Sequence, residues 1–96
     1  MRIGNIYIST ITEAELFGYS ALTDREHKII DSILSTLSII PVDSHLARSA
    51  GLIRRRYALK IPDTIIAATT LFTDSTLITR NVKDFDKINE LRLLKI

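Results

Sequence analysis

The chain has 96 residues, room for a single domain (1–96), with 46% hydrophobic and 25% charged residues, the balance of an ordinary folded protein. Thirteen Lys and Arg against eleven Asp and Glu leave a net charge of +2, too small to argue for a nucleic-acid partner unless the charges are clustered. The absence of cysteine excludes disulfide scaffolds and thiolate metal sites, and fits a reducing compartment such as the cytoplasm.

The first residues, Met1-Arg2-Ile3-Gly4-Asn5, lack the apolar core of a signal peptide. Ile6 to Ser9 is β-branched and aromatic and reads as a short strand. Thr12 to about Tyr19 favours helix. Thr23-Asp24-Arg25-Glu26 has the capping-box pattern, and Ile29, Ile30, Ile33, Leu34 and Leu37 recur behind it at helical spacing. Ser38 to Val42 reads as a second strand. Asp43 or Ser44 then caps a helix to about Leu59, with Leu46, Ala50, Ile53 and Tyr57 on one stripe. Pro62 opens the next helix, beside Asp63 and ahead of the small apolar run Ile65-Ile66-Ala67-Ala68. Pro62 to Phe72 is the longest apolar stretch, but Asp63 and several threonines interrupt it, so no membrane span is expected. Ser75 to Thr79 is strand, Asn81 begins a short helical turn, and Leu91 to Leu94 is a last strand. Strands separated by helices imply an α/β fold with a parallel sheet and right-handed crossovers.

Ligand crevices of such sheets lie beyond the carboxyl ends of the strands. The polar residues near those ends form a chemical set. Glu15, with Glu13 nearby, follows the first strand; Asp63 starts a helix; Asn81 and Asp84 follow the strand ending at Thr79. Converging carboxylates repel unless a cation neutralises them, and carboxylate and amide oxygens suit Mg²⁺ or Mn²⁺, the ions of phosphoryl chemistry. Each residue also has a structural reading. Glu15 completes a capping box with Thr12, Asp63 complements a helix macrodipole, and Asn81 is an N-cap with Asp84 in its first turn.

Three stretches carry a resemblance that adds to this reading. Ile6-Tyr7-Ile8-Ser9-Thr10-Ile11-Thr12-Glu13-Ala14-Glu15-Leu16 resembles a strand leading into a T-x-x-E-L helix start. Ile61-Pro62-Asp63-Thr64-Ile65-Ile66-Ala67-Ala68-Thr69 is similar to a D-x-x-I-A-A helix. Leu77-Ile78-Thr79-Arg80-Asn81-Val82-Lys83-Asp84-Phe85 is similar to a T-R-N-x-x-D-F segment. In this order and spacing they resemble the VapC-type PIN domains, ribonuclease toxins of prokaryotic toxin–antitoxin pairs. The resemblance implies a three-layer PIN-like fold of about four parallel strands with helices on both faces. It implies a Mg²⁺- or Mn²⁺-dependent endoribonuclease in which Glu15, Asp63 and Asp84 hold the metal with Asn81, and Thr79 lines the site. It also implies a cognate antitoxin, a homodimer and a cytoplasmic location. Glu13 stands where the family is commonly apolar and is set aside as a first-turn acid.

The family begins with a strand bearing an Asp-Thr or Asp-Ser pair, and nothing ahead of Ile6 matches it. The expectation is an N-terminally truncated PIN domain that lacks one metal ligand and has an open slot in its sheet. Strand exchange between copies would close such a slot. A catalytically incomplete PIN remnant, acting only in binding, is the rival that follows. A receiver-like phosphoacceptor domain is the more distant one, with Asp74 and Lys83 poorly placed for its chemistry.

Arg54, Arg55 and Arg56, with Arg48 on the same helix, form the densest basic cluster, suited either to RNA phosphates or to a solvated helix end. Arg80 suits a phosphate or a structural carboxylate. His27 and His45 have no partner at metal-ligand spacing and read as surface residues; the tyrosines and phenylalanines show no stacking pattern and read as core or interface.

Overall fold

The computed structural model describes residues 5–96, so the reading of the first four residues as no signal peptide lies outside the described residues. The chain divides into two compact units, Met1–Pro41 and Val42–Ile96.

The first unit contains β1 (Tyr7–Ser9), α1 (Thr10–Phe17), α2 (Asp24–Leu34) and β2 (Ser38–Ile40). β1 and β2 pair in parallel, Tyr7 with Ser38, Ile8 with Ile39 and Ser9 with Ile40. Helix α1 starts two residues earlier than Thr12, because Ser9 ends the strand and caps the helix, its side chain accepting a hydrogen bond from the Ile11 N–H. Gly18 ends α1 where a Cβ would lie 2.8 Å from the Ala14 carbonyl oxygen, so a side chain there would clash with backbone. The capping box of α2 forms as the sequence predicts. The Glu26 N–H donates to Thr23 Oγ1 at 3.1 Å, and the Thr23 N–H donates to Glu26 Oε1 at 3.2 Å. α2 ends at Leu34, short of Leu37; the Ser35 and Thr36 hydroxyls bond back to the Ser32 and Ile33 carbonyls and tighten the exit. Its apolar residues do not share one environment: Leu34 is buried, while Ile29 and Ile33 remain exposed.

The second unit contains α3 (Ser44–Tyr57), α4 (Ile61–Phe72), β3 (Thr76–Thr79), α5 (Val82–Phe85) and β4 (Arg92–Lys95). Asp43 caps α3, accepting from the Leu46 N–H at 2.9 Å. The helix stops at Tyr57 rather than Leu59 because Ala58 turns into the left-handed region, φ 55°. α3 packs on α4, whose buried face is built from Thr64, Ala67, Ala68, Thr69 and Thr70. The threonines can be buried because their hydroxyls donate to carbonyls one turn back, as Thr69 does to Ile65 and Thr70 to Ile66. β3 and β4 pair in parallel, with Leu77 opposite Leu93 and Ile78 opposite Leu94. Period-two alternation turns Leu77 and Leu93 onto the core of Leu59, Ala67, Phe85, Ile88 and Leu91 and leaves Ile78 and Leu94 exposed.

All the described strands are thus parallel, as the alternating order predicts, and they pair two by two, β1 with β2 and β3 with β4. No described helix is long and apolar enough to cross a membrane.

Candidate active site

In the second unit the candidate residues come from two helix starts and the strand end between them. Asp63 lies in the first turn of α4, half-buried. Lys60 occupies the cap position there without a side-chain hydrogen bond. The Asp63 carboxylate has no hydrogen-bond or ion-pair partner among the described residues, so its local role is limited to complementing the helix dipole.

The stretch after β3 is held by its own side chains. Thr79 Oγ1 accepts from the Asn81 N–H at 2.9 Å and fixes the turn as it leaves the strand. Asn81 sits at the N-cap position of α5 but makes no side-chain cap. Instead, its Nδ2 donates to Asp84 Oδ2 at 2.7 Å, a short bond to a charged acceptor. The positions are those the sequence predicts, Asn81 at the N-cap and Asp84 in the first turn, but the Asn81 amide serves the carboxylate three residues on and not the backbone. Phe85 anchors this turn, buried to 3% exposure in the core. Arg80 points no hydrogen bond or ion pair at any described residue and is exposed.

The capping-box reading of Glu15 also fails, and for a physical reason. With Ser9 as the cap, Thr12 and Glu15 both fall inside α1, where the box geometry does not exist. Glu15 is exposed, without a hydrogen-bond or ion-pair partner among the described residues. Glu13 lies in the first turn of α1, in keeping with its reading as a first-turn acid.

Arg54, Arg55 and Arg56 occupy the last turn of α3, all exposed. At about 100° per residue they fan around the helix, and only Arg55 shares the face of Arg48. Arg56 lies over the Tyr57 ring, its Cζ 5.7 Å from the centroid, and the Tyr57 hydroxyl donates to Glu90 Oε2 at 3.4 Å. One of the three arginines is therefore partly engaged within the protein, and the cluster is less a continuous patch than its spelling suggests.

Among the described residues no three His, Asp or Glu side chains stand close enough to hold a metal ion. The donor chemistry of the set suits a hard cation, with Asp63, Asn81 and Asp84 in the second unit and Glu15 in the first. Asp74 is engaged by Arg92 at the turn before β3. It sits in a tight turn at φ 51°, and Arg92 binds its carboxylate at 3.2 Å and its carbonyl oxygen at 2.6 Å. Ser9 was missed as a functional position of the fold; a serine at the seam between a β-branched run and a helical one was the available signal.

Parallel strands joined by helices define an α/β domain. The sequence model of the PIN domain family matches residues 1–91, and the chain belongs to that family. Its resemblance is to the VapC-type members. A toxin–antitoxin complex from Klebsiella pneumoniae matches with a TM-score of 0.77 and 35% identity, over 92% of this chain and 71% of that one. A VapBC2 complex from Rickettsia felis, bound to a promoter DNA fragment, matches with a TM-score of 0.81 and 28% identity, over 96% and 75%. A DNA-bound VapBC from Salmonella typhimurium matches with a TM-score of 0.80 and 25% identity, over 93% and 74%. No curated protein matches significantly in sequence.

Proposed function

We propose that this chain is the toxin of a toxin–antitoxin pair and an endoribonuclease that cleaves RNA phosphodiesters with Mg²⁺ or Mn²⁺ in the cytoplasm. Glu15, Asp63 and Asp84 are the acidic ligands, assisted by Asn81, with Thr79 lining the site. The observation that carries the reading is the Asn81–Asp84 hydrogen bond on a turn pinned by Thr79, within a PIN-family chain. A divalent cation bound by such oxygens supplies an activated water and shields charge on the phosphate. The residues of the chain prepare for this. Asn81 fixes the rotamer of Asp84 through one oxygen and leaves Oδ1 unpartnered among the described residues. Asp63 holds a carboxylate at a helix start that is unpaired among the described residues. Arg80, and Arg54, Arg55 and Arg56 at the end of α3, are exposed cations for RNA phosphates. A cognate antitoxin and a homodimer complete the proposal. The edges of the two-stranded ladders, unpaired among the described residues, would favour association by strand exchange.

A second reading is a PIN domain that binds partners without cleaving. A calorimetric Mn²⁺ titration of the chain and its Asp63→Asn variant separates the two. Saturable binding that the substitution removes, followed by RNA cleavage that fails in the same variant, supports the nuclease. Absent binding in both proteins supports the non-cleaving domain. Cleavage by Asp63→Asn at the wild-type rate would sink the site assignment.

A further inference from the structure

Helix α3 carries its charge without compensation. Between Asp43, which caps it, and Asp63 in the next helix, the chain has five Lys and Arg and no carboxylate. The second unit holds ten Lys and Arg against six Asp and Glu, and the first three against five, so the positive excess lies with α3. At about 100° per residue, Ser44, Arg48, Gly51 and Arg55 fall within an arc of about 60°, on the side away from Leu46 and Ala50. All four are exposed, and a Cβ built at Gly51 meets nothing within 4 Å. Neither Arg48 nor Arg55 has a hydrogen-bond or ion-pair partner among the described residues. The helix macrodipole favours the cations of the last turn, but Arg48 lies in the second turn, outside its reach. α3 and α4 pack together across the short link 58–60 and so run antiparallel. The Arg55 end of the stripe therefore stands at the end of the hairpin where α4 starts with Asp63. Arg48 lies about 10.5 Å further along the axis, at about 1.5 Å per residue.

We propose that this outward stripe of α3 is a track for the sugar–phosphate backbone of the RNA, with Arg48 and Arg55 each binding a phosphate. The proposal rests on the nuclease reading above. It adds Arg48 to the cations of the arginine run and sets Arg56 outside the track. Arg56 is turned about 100° away from Arg55 and lies over the Tyr57 ring. The make-up of the face selects the occupant. A guanidinium pairs phosphate oxygens through two parallel N–H donors. Ser44 and Gly51 keep the surface beside the two arginines low, so that a backbone can lie close. A protein partner would need an apolar centre to exclude water, and one large apolar side chain, Leu52, stands beside the stripe. A membrane surface would need a broad apolar face for insertion. A second copy of the chain would set four arginines together with no carboxylate between them, at a repulsive cost.

The test is the binding of a short fluorescein-labelled single-stranded RNA to the full chain in EDTA, read by fluorescence anisotropy across a salt series. The double variant Arg48→Ala with Arg55→Ala is compared with wild type and with Arg56→Ala. Circular dichroism checks that each folds, as expected for exposed positions. Loss of two phosphate contacts should flatten the slope of log affinity against log salt by about 1.4, at about 0.7 per phosphate of a single strand. Binding at low salt should weaken by about tenfold or more, and equally on a second RNA of unrelated sequence, since phosphates carry no sequence. Arg56→Ala should change both quantities less. With Mn²⁺ in place of EDTA, the double variant should raise KM and leave kcat unchanged, the mark of a uniform binding contact. Unchanged affinity and slope in the double variant overturn the track and leave the nuclease reading standing. An Arg56→Ala defect as large as that of the double variant overturns the stripe, and so does a wild type that does not bind RNA at low salt. The expected binding defect in a chain that cleaves nothing with Mn²⁺ keeps the track and overturns the nuclease reading. A double variant that keeps its RNA affinity but loses its purified antitoxin, or phosphatidylglycerol vesicles, assigns the stripe to protein or to lipid and overturns the proposal.

Discussion

Replacing Asn81 by Asp is the most direct probe of the turn after β3. In the wild type Asn81 Nδ2 donates to Asp84 Oδ2 at 2.7 Å, and Thr79 holds the backbone that presents both. The substitution exchanges a donor for a second carboxylate at nearly the same position. The hydrogen bond is lost, and two like charges face each other at contact distance. For charges about 4 Å apart the repulsion is about 1 kcal/mol in bulk water and about 4 kcal/mol near a protein surface. Asn81 is exposed and Asp84 half-buried, so the lower end applies, and a total cost of about 1–2 kcal/mol at low salt is expected. That corresponds to a fall in melting temperature of about 4–16 °C for a chain of this size. Urea denaturation in EDTA at low and at high salt reads the effect, with Asn81→Ala as the variant that removes the bond without adding charge. High salt should close the gap between Asn81→Asp and Asn81→Ala, since the screening length falls to about 3 Å at 1 M. If a cation occupies the site, Mn²⁺ should restore Asn81→Asp more than it stabilises the wild type. A variant as stable as wild type in EDTA at low salt would refute the paired turn, and with it the role given to Asn81.

Phe85 is 3% exposed in the core of the second unit, and Phe85→Ala should cost about 3–5 kcal/mol, read as a lost or much earlier unfolding transition. Asp43→Ala removes the cap on the Leu46 N–H and should cost about 1 kcal/mol in chemical denaturation, a loss that Asp43→Asn should largely avoid. Gly51 lies inside α3 with nothing within 4 Å of a built Cβ, so Gly51→Ala should stabilise by about 0.5–1 kcal/mol; a destabilised variant would contradict its open surroundings.

Some of this molecule is legible in the sequence because the interactions concerned are local. The Thr23–Glu26 box and the Asp43 cap each close within three residues, so spelling and structure coincide closely. The same locality explains two misreadings. Thr12 and Glu15 spell a capping box as well as Thr23 and Glu26 do, but the strand before them ends at Ser9, and the helix nucleates at the first capping residue it meets. Asn81 and Asp84 spell a cap, yet an amide beside a carboxylate finds a stronger acceptor there than a backbone N–H offers its oxygen. The arginine run is a solvated helix end, one of its two readings. Consecutive letters look like a patch, whereas a helix spreads them around its axis.

Long-range properties are a different matter. Whether carboxylates far apart in sequence meet depends on packing that no local pattern encodes, and the family resemblance rather than periodicity supplied that expectation. Helix α2 makes the same point from the apolar side. Ile29, Ile30, Ile33 and Leu34 satisfy one helical stripe on paper, and a stripe is read by default as a single buried face. In the folded chain the stripe splits, Leu34 and Ile30 turning inward while Ile29 and Ile33 stay in solvent beside Arg25 and Lys28. Burial of one arc accounts for the fold; exposure of the other costs solubility without contributing to the core. The exposed pair Ile29 and Ile33 shows that a helical stripe fixes which side chains share a face, and not how much of that face the fold covers.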